Sequence, residues 1–484
     1  MFLGLDIGTS SVKAVLVDAS DRLIAAAERP LTVSRPHPLW SEQDPEDWWT
    51  ATVGAVDALG ETHATELAAV TGIGLSGQMH GATLLDAAGE VLRPCILWND
   101  GRSAEECRIL ETTFPALHAV TGNLAMPGFT APKLLWVARH EPEIFARVAK
   151  VLLPKAYVRY RLTGEMAEDM SDASGTLWLD PAKRDWSDAA LEATGLSRDH
   201  MPRLVEGSEV SGTLSAELTA RWGMKTAPVV AGGAGDNAAT AAGLGAIGAG
   251  DAFLSLGTSG VLWVTTDRFA PNPASAVHAF AHCIPATWHQ MGVMLSAASC
   301  LAWWAGVTGK REAELMAELG ETPKGASSAL FLPYLTGERT PANDPALRAV
   351  FAGIGAGDDR PALTRAVLEG VAHAVRDNRD ALAAAGTSVR EIDLVGGGSR
   401  SRLWAQIIAD MLGIPVHRVE EGAVGAAHGA ARLGRLAATG EAPTTVCRKP
   451  RRLESFEPDA ARAASFSESH DRWRRLAPFA KEIV

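Results

Sequence analysis

One construction occurs twice in this chain, and it limits the fold more than any other feature. LGLDIGTSSVKAVLVD near the start is answered by AFLSLGTSGVLWVTT in the middle. Each reads as an apolar strand, a tight Gly-Thr-Ser turn and a second strand. Further strand candidates at residues 70–75, 83–86 and 228–232 alternate with helix-like stretches, so the first half reads as α/β with a mixed sheet. With 484 residues the chain exceeds what one hydrophobic core serves. Glycines cluster in AAGLGAIGAGDAF just before the second hairpin, which sets a boundary between two domains of similar size, residues 1–246 and 247–484.

Local signals fill in the rest. Asp44-Pro45-Glu46-Asp47 supplies an N-cap, an N1 proline and first-turn acids, so a helix starts there. The second half reads as helical between residues 363 and 385, followed by a strand at 392–395 that ends in Gly396-Gly397-Gly398-Ser399. The run GAVGAAHGAA at residues 422–431 is so rich in small residues that a helix there must lie unusually close to a neighbour. The tail after Arg448 has weak periodicity and receives no assignment.

A Gly-Thr-Ser turn leaves backbone N–H groups and hydroxyls pointing outward, where they can hold phosphate oxygens without steric bulk. Either turn alone reads first as an ordinary hairpin, but two together can grip one triphosphate. Asp6, at the end of the first strand, can face Mg2+ through water while the hydroxyls of Thr9 and Ser10 meet phosphate. The second copy has Ser255 at the matching place, and a single metal-directing carboxylate suffices for one Mg-nucleotide. Lys13 reads as a solvated strand lysine.

Asp236 follows an apolar run and Gly233-Ala234-Gly235 and precedes a helix-compatible stretch, so it belongs at a strand-to-helix junction. Such an Asp is most often an N-cap, yet the neighbouring glycines also let a ligand approach the backbone. Gln78-Met79-His80-Gly81 offers an amide, a soft apolar surface and an imidazole, suited to one small polar molecule. Trp98-Asn99-Asp100 fits either a similar wall or a core tryptophan followed by a turn.

Several function classes drop out. Lys+Arg 45 against Asp+Glu 57 leaves −12, with no basic run interleaved with aromatics, so nucleic acid is a poor partner. No apolar segment is long enough to span a bilayer and the start lacks signal-peptide character, which gives the expectation of a cytoplasmic protein without a membrane partner. Five scattered cysteines form no C-x-x-C pair, so neither a disulfide framework nor a zinc site is expected, and His278 and His282 lack the partners of a metal site.

Read in order, LGLDIGTSSVK, SRPHPLWSEQDPEDWW, SGQMHGATLLD, ILWNDGR, PGFTAPKLLW, MSDASGTLWLD, AGGAGDNAA, LSLGTSGV, FLPYLTGERTP and LVGGGSRSRLW resemble the FGGY family of carbohydrate kinases over nearly the whole chain. The first family signature, at residues 128–136 with Thr130 and Lys133, is met. The second, at residues 349–369, departs at Ala362, where a polar residue is usual and where helix capping rather than catalysis should be affected. The resemblance implies the two-domain, actin-like ATPase (ribonuclease-H-like) α/β fold around a central catalytic cleft, with sugar held mainly by the first domain and ATP mainly by the second. It implies Mg2+-ATP as phosphoryl donor and D-xylulose, phosphorylated at its 5-hydroxyl, as acceptor, in a possible homodimer. Carried over, Asp236 is the general base and Asp6 helps place Mg2+, while Met79, His80, Asp236 and Asn237 line the sugar pocket. Thr9, Ser10, Gly257 and Thr258 hold phosphates, and Gly397, Gly398 and Ser401 lie along the adenosine. Phosphoryl transfer needs positioning and charge neutralisation more than covalent chemistry, so the absence of a Walker A loop is no obstacle. Two alternatives stand beside this expectation: a family member acting on another ketose, a polyol or glycerol, and an actin-like ATPase with no sugar substrate.

Overall fold

The computed structural model describes residues 1–420 and 425–482 and is organised by two seven-stranded sheets. The first contains β1 (Phe2–Ile7), β2 (Ser11–Val17), β3 (Leu23–Pro30), β4 (Gly72–Gly77), β5 (Val210–Thr213), β6 (Val229–Ala231) and β7 (Ala234–Gly235). Their order is β5-β6-β4-β1-β2-β3, with β7 continuing beside β4. The second contains β8 (Ala252–Leu256), β9 (Gly260–Thr266), β10 (His278–Ala281), β11 (Trp288–Met294), β12 (Ile392–Val395), β13 (Val416–Val419) and β14 (Arg452–Phe456), in the order β10-β11-β9-β8-β12-β13-β14. Each expected hairpin is present: β1 pairs antiparallel with β2, and β8 with β9. In both sheets the first hairpin strand also pairs with a parallel neighbour, β4 or β12.

The helices that position the site are α1 (Pro45–Ala68), α2 (Thr130–His140), α3 (Met170–Ser174), α4 (Asp236–Leu244), α5 (Arg360–Ala384), α6 (Arg402–Leu412), α7 (Ala426–Thr439) and α8 (Ala460–Arg474). The α1 start is as read: Pro45 occupies the first turn and the Asp44 carboxylate accepts the Glu46 N–H at 3.0 Å. Helix α5 begins three residues before the expected 363, because the Asp359 side chain accepts the Ala362 N–H at 2.9 Å and Pro361 fits the first turn. Ala362 therefore sits in a capped turn. The strand expected at 70–75 is displaced to Gly72–Gly77, because its extent is set by pairing Phe2 with Gly72 through Ile7 with Gly77 rather than by the apolar run from Val70. The unassigned tail supplies β14, paired with β13, and α8, which buries Phe466 and Trp473.

Alternate residues of the first sheet face different partners. Leu3, Leu5, Ile7, Ile73 and Leu75 pack with Trp48, Ala55, Val56 and Leu59 of α1. Gly4, Gly72 and Gly74 turn the opposite way, toward α7, which comes from the second half of the chain to lie across β1 and β4. A Cβ at Gly74 would sit 1.7 Å from the Ala430 carbonyl oxygen, and one at Gly72 2.2 Å from that of Gly434. This is the close approach expected from the small-residue run, of which residues 422–424 lie outside the described residues. Arg432 of α7 fixes the arrangement by pairing with Asp21 at 2.5 Å and donating to the Ala242 and Gly243 carbonyls at the end of α4. Gly74→Ala should lower unfolding free energy by about 3 kcal/mol, the upper end of overpacking penalties, because the obstacle is backbone that cannot step aside; chemical denaturation of the purified variant measures it.

The second sheet packs α5 and α6 against one face, around Leu254, Leu262, Val371, Ile407 and Ile408. Its other face, with Phe253, Trp263 and Phe280, shares a core with residues of the first half such as Phe129 and Ala238. Polar contacts tie the halves at the β10–β11 hairpin: Ala281 N–H donates to Ser174 Oγ at 3.0 Å, and Asn123 Nδ2 to the Ala279 carbonyl at 3.1 Å.

Candidate active site

Three strand ends of the first sheet, those of β1, β4 and β7, bring two carboxylates together. Asp6 lies opposite Ser76 on β4, and β7 runs alongside with Gly235 opposite Gly77, so Asp236 emerges next to β4 as the first residue of α4. The Ser76 hydroxyl donates to Asp6 Oδ1 at 2.9 Å; Asp6 Oδ2 has no hydrogen bond among the described residues. Asp236 Oδ1 accepts from the Asn237 backbone N–H at 2.7 Å and from Asn237 Nδ2 at 2.9 Å, while its Oδ2 is likewise free among the described residues. Both carboxylates keep a partly exposed face. Desolvation raises the Asp6 pKa. Burial, followed by the charge of Asp6, raises that of Asp236 to about 6, with the Asn237 hydrogen bonds opposing. Asp236 is therefore ionised at neutral pH yet a far stronger base than an ordinary aspartate.

Asp236 is held from behind. Gly235 N–H donates to Ser171 Oγ at 3.1 Å, and Ser171 Oγ donates to Asp169 Oδ1 at 2.5 Å. Asp169 in turn contacts the buried Lys155 ammonium at 2.7 Å. The three buried acids Glu168, Asp169 and Asp172 surround that one ammonium, and burial together with their mutual repulsion pushes the pKa values of Glu168 and Asp172 up. Ser171 falls in the stretch MSDASGTLWLD that carries the family resemblance and Asp169 immediately before it, but no local signal in the sequence assigns either a role.

The next wall follows directly from β4. Met79 is buried, and a Cβ on Gly235 would come within 2.8 Å of its sulfur, so Met79 packs against the residue preceding Asp236. His80 adopts a left-handed backbone, φ 71°, costly for a non-glycine residue. Its carbonyl is clamped by Lys133 Nζ at 2.8 Å and Thr130 Oγ1 at 3.1 Å, both from α2. Lys133 also donates to the Gly128 carbonyl at 2.6 Å, and burial lowers its pKa to about 7. The two signature residues thus have a physical role, which is to hold His80 in place. The His80 ring donates from Nδ1 to the Gly175 carbonyl at 2.7 Å, which leaves Nε2 as an acceptor. Burial, then the Lys133 charge, lowers its pKa to about 3, so the imidazole is neutral. The first Gly-Thr-Ser turn closes this side. The Thr9 hydroxyl donates to Gln78 Oε1 at 2.8 Å and accepts from Trp98 Nε1 at 3.0 Å, whereas Ser10 is exposed. Trp98 remains 47% exposed.

The remaining candidates lie in the second half. Gly257 and Thr258 form the β8–β9 turn, whose carbonyls accept the N–H groups of Ala298 and Ala297. Gly396, with φ 88°, closes on the backbone of Leu256, one residue before that turn. Gly397, Gly398 and Ser401 line a cavity of about 850 Å³ together with Met316, Arg400 and Arg418, large enough for a nucleoside. Ser401 Oγ already accepts the Trp404 N–H at 3.1 Å as the cap of α6. A second cavity of about 310 Å³ shares Gly397 and Arg400 and is also lined by Thr240 and Leu244 of α4. The nucleoside-sized space is thus linked to the helix that carries Asp236. Thr240 and Arg400 escape a reading of the sequence because only the meeting of the two halves makes them neighbours.

This geometry, two hairpin-bearing sheets, the Asp6 and Asp236 carboxylates beside the Met79–His80 wall, and a nucleoside-sized cavity linked to α4, agrees with what comparison with known proteins finds. The FGGY family of carbohydrate kinases, N-terminal domain, matches residues 1–243, and its C-terminal domain matches residues 252–438. The chain is 53% identical to xylulose kinase of Escherichia coli (strain K12) over 478 residues, 98% of each chain. Among solved structures it is similar to a xyloylose kinase from Brucella ovis, with TM-score 0.98, 55% identity and 100% of both chains covered. It is also similar to xylulose kinase from Rhodospirillum rubrum, with TM-score 0.92, 32% identity and 99% of both chains covered. Matched in both halves and along its full length, the chain belongs to the FGGY family of carbohydrate kinases.

Proposed function

We propose that this protein transfers the γ-phosphoryl group of ATP to O5 of D-xylulose, yielding D-xylulose 5-phosphate and ADP. The full-length relatives named xylulose kinase support the substrate. The observation that carries the chemistry is Asp236, a desolvated carboxylate with one free oxygen at the N-terminus of α4, beside the Met79–His80 wall.

In this reading Asp236 accepts the proton of the O5 hydroxyl as that oxygen attacks phosphorus, and Asn237 keeps the carboxylate aimed. His80 Nε2 accepts a sugar hydroxyl and Met79 packs against the carbon chain. The exposed turns at Ser10 and at Gly257-Thr258 hold phosphates, Thr9 acting through its bond to Gln78 as a support of the turn. Gly397, Gly398 and Ser401 border the adenosine. Asp6, with an unbonded oxygen and a partly exposed face, fits the outer sphere of Mg2+; bound with the nucleotide, the ion supplies neutralisation of phosphate charge. We take residues 1–246 and 247–484 as the two lobes. The net charge of −12 argues against a nucleic-acid partner, and no helix among the described residues is long and apolar enough to cross a membrane. A cytoplasmic location and a homodimer complete the reading.

A coupled ADP-release assay with D-xylulose, L-ribulose, L-fuculose and glycerol tests it. The highest kcat/KM is expected for D-xylulose. Clear preference for another member of the panel overturns the substrate, and ADP release that no sugar stimulates overturns the kinase reading in favour of a plain ATPase.

A further inference from the structure

The wall beyond His80 ends in a cation that the functional reading above does not use. Arg339 lies in the segment after the buried Leu330–Leu332 strand, and its position is fixed by neighbours on both sides. Glu338 Oε1 accepts the N–H groups of Leu295 and Arg339, and Thr340 N–H donates to the Val293 carbonyl at 3.0 Å. The guanidinium is half-buried, strongly desolvated and, among the described residues, within ion-pair distance of no carboxylate, although the charge of the neighbouring Glu338 offsets part of the desolvation. Its one side-chain contact is from Nη1 to His278 Nε2 at 3.5 Å, the outer limit of a hydrogen bond. His278 takes that weak donor because its Nδ1 is turned to Asn123 Oδ1 at 3.2 Å.

A guanidinium that is desolvated and nearly unpartnered is costly unless a ligand completes it. What lies in front of Arg339 is the sugar wall. His80 packs edge-on against Phe129 at 4.8 Å, and Phe129 against His278 at 5.5 Å. Arg339 is near enough for its charge to depress the basicity of both His80 and His278. Along this wall Met79 abuts Gly235, the residue before Asp236, the methyl of Met79 and the His80 ring both abut Gly175, and Phe129 and His278 lead on from His80 to Arg339. The hydroxyl to be phosphorylated belongs at Asp236, which leaves the opposite end of a five-carbon ketose, its C1 hydroxyl and C2 carbonyl, at Arg339. The chemistry is complementary: His80 Nε2 only accepts and the guanidinium only donates, while a ketone oxygen only accepts.

We propose that Arg339, supplied by the second half of the chain, is a substrate-binding residue that donates hydrogen bonds to the keto end of the sugar. The proposal rests on the kinase reading for the sugar's orientation, so its test compares variant with parent on whichever sugar the parent prefers in the panel. Arg339→Ala and Arg339→Lys are assayed for KM and kcat, and sugar affinity is measured calorimetrically without nucleotide. Loss of charge-assisted hydrogen bonds should raise sugar KM and Kd roughly 10- to 100-fold in the alanine variant. The lysine variant should recover part of the loss, and KM for ATP should stay within about twofold. Sugar Kd within about twofold of the parent in both variants overturns the proposal, as does a fall in kcat at unchanged sugar KM. Should the alanine variant not fold, the lysine variant decides alone, since it keeps the charge but not the paired donors of the fork. A parent preference for L-ribulose or L-fuculose would refute the substrate assignment while leaving this comparison intact, whereas a preference for glycerol, which has no keto end, overturns both.

Discussion

Asp236→Ala is expected to lower kcat by roughly 10²- to 10⁴-fold, the range for losing a positioned general base, while KM for ATP changes little. The nucleotide determinants assigned to the second half do not involve residue 236, so a loss confined to sugar phosphorylation separates the base from a structural cap. Turnover near that of the parent would remove the base assignment. The parent's pH profile gives an independent reading. Burial and the neighbouring Asp6 raise the Asp236 pKa to about 6, so the working carboxylate accumulates as pH climbs through 6. Sugar kcat/KM should therefore rise across that interval and level off above it.

Asp6→Asn should reduce kcat by roughly 10²- to 10³-fold, as expected when a charge that organises the transferring phosphoryl group is removed. The Mg2+ concentration needed for half-maximal rate should rise as well. A second consequence follows from the coupling of the pair. The Asp6 charge holds the Asp236 pKa up, so neutralising it should let that pKa fall and move the acid limb of the residual activity to lower pH. An unchanged limb together with an unchanged Mg2+ titration would refute the metal role of Asp6. A changed Mg2+ response with a fixed limb would locate the error in the electrostatic coupling alone.

The hairpins, the α1 cap, the junction at Asp236 and the close seat of α7 were legible because each depends on local chemistry: a turn between apolar runs, an Asp-Pro helix start, glycines before an acid, a run of small residues. The strand at Gly72–Gly77 was misplaced at its ends because small residues at both ends, Gly72 and Ser76-Gly77, give no local stop signal and its partner β1 defines its extent. In the site, Asp6, Met79, His80, Asp236 and Asn237 meet around three neighbouring strand ends. Ser171 and Arg339 lie in two of the resembling stretches, MSDASGTLWLD and FLPYLTGERTP, and Asp169 just before the first, yet none was assigned a role, for a different reason. Their relevance comes from contacts between elements far apart in sequence, such as Ser171 Oγ with Gly235 N–H, and a polar residue with a distant partner looks in sequence like any other polar residue. Thr9 shows the same dependence on distant partners: its hydroxyl bonds Gln78 and Trp98, neither of which a reading of the turn alone would pair with it.

The crossing of α7 onto the first sheet bears on how the chain is made. During synthesis the glycine-paved strip of β1 and β4 has nothing to cover it until residue 439 has left the ribosome, although every strand of that sheet is complete by residue 235. The amino-terminal half must therefore wait, incompletely sealed, for a piece made far downstream in the chain. A fragment that stops before α7 should behave as an aggregation-prone intermediate rather than as a free-standing domain.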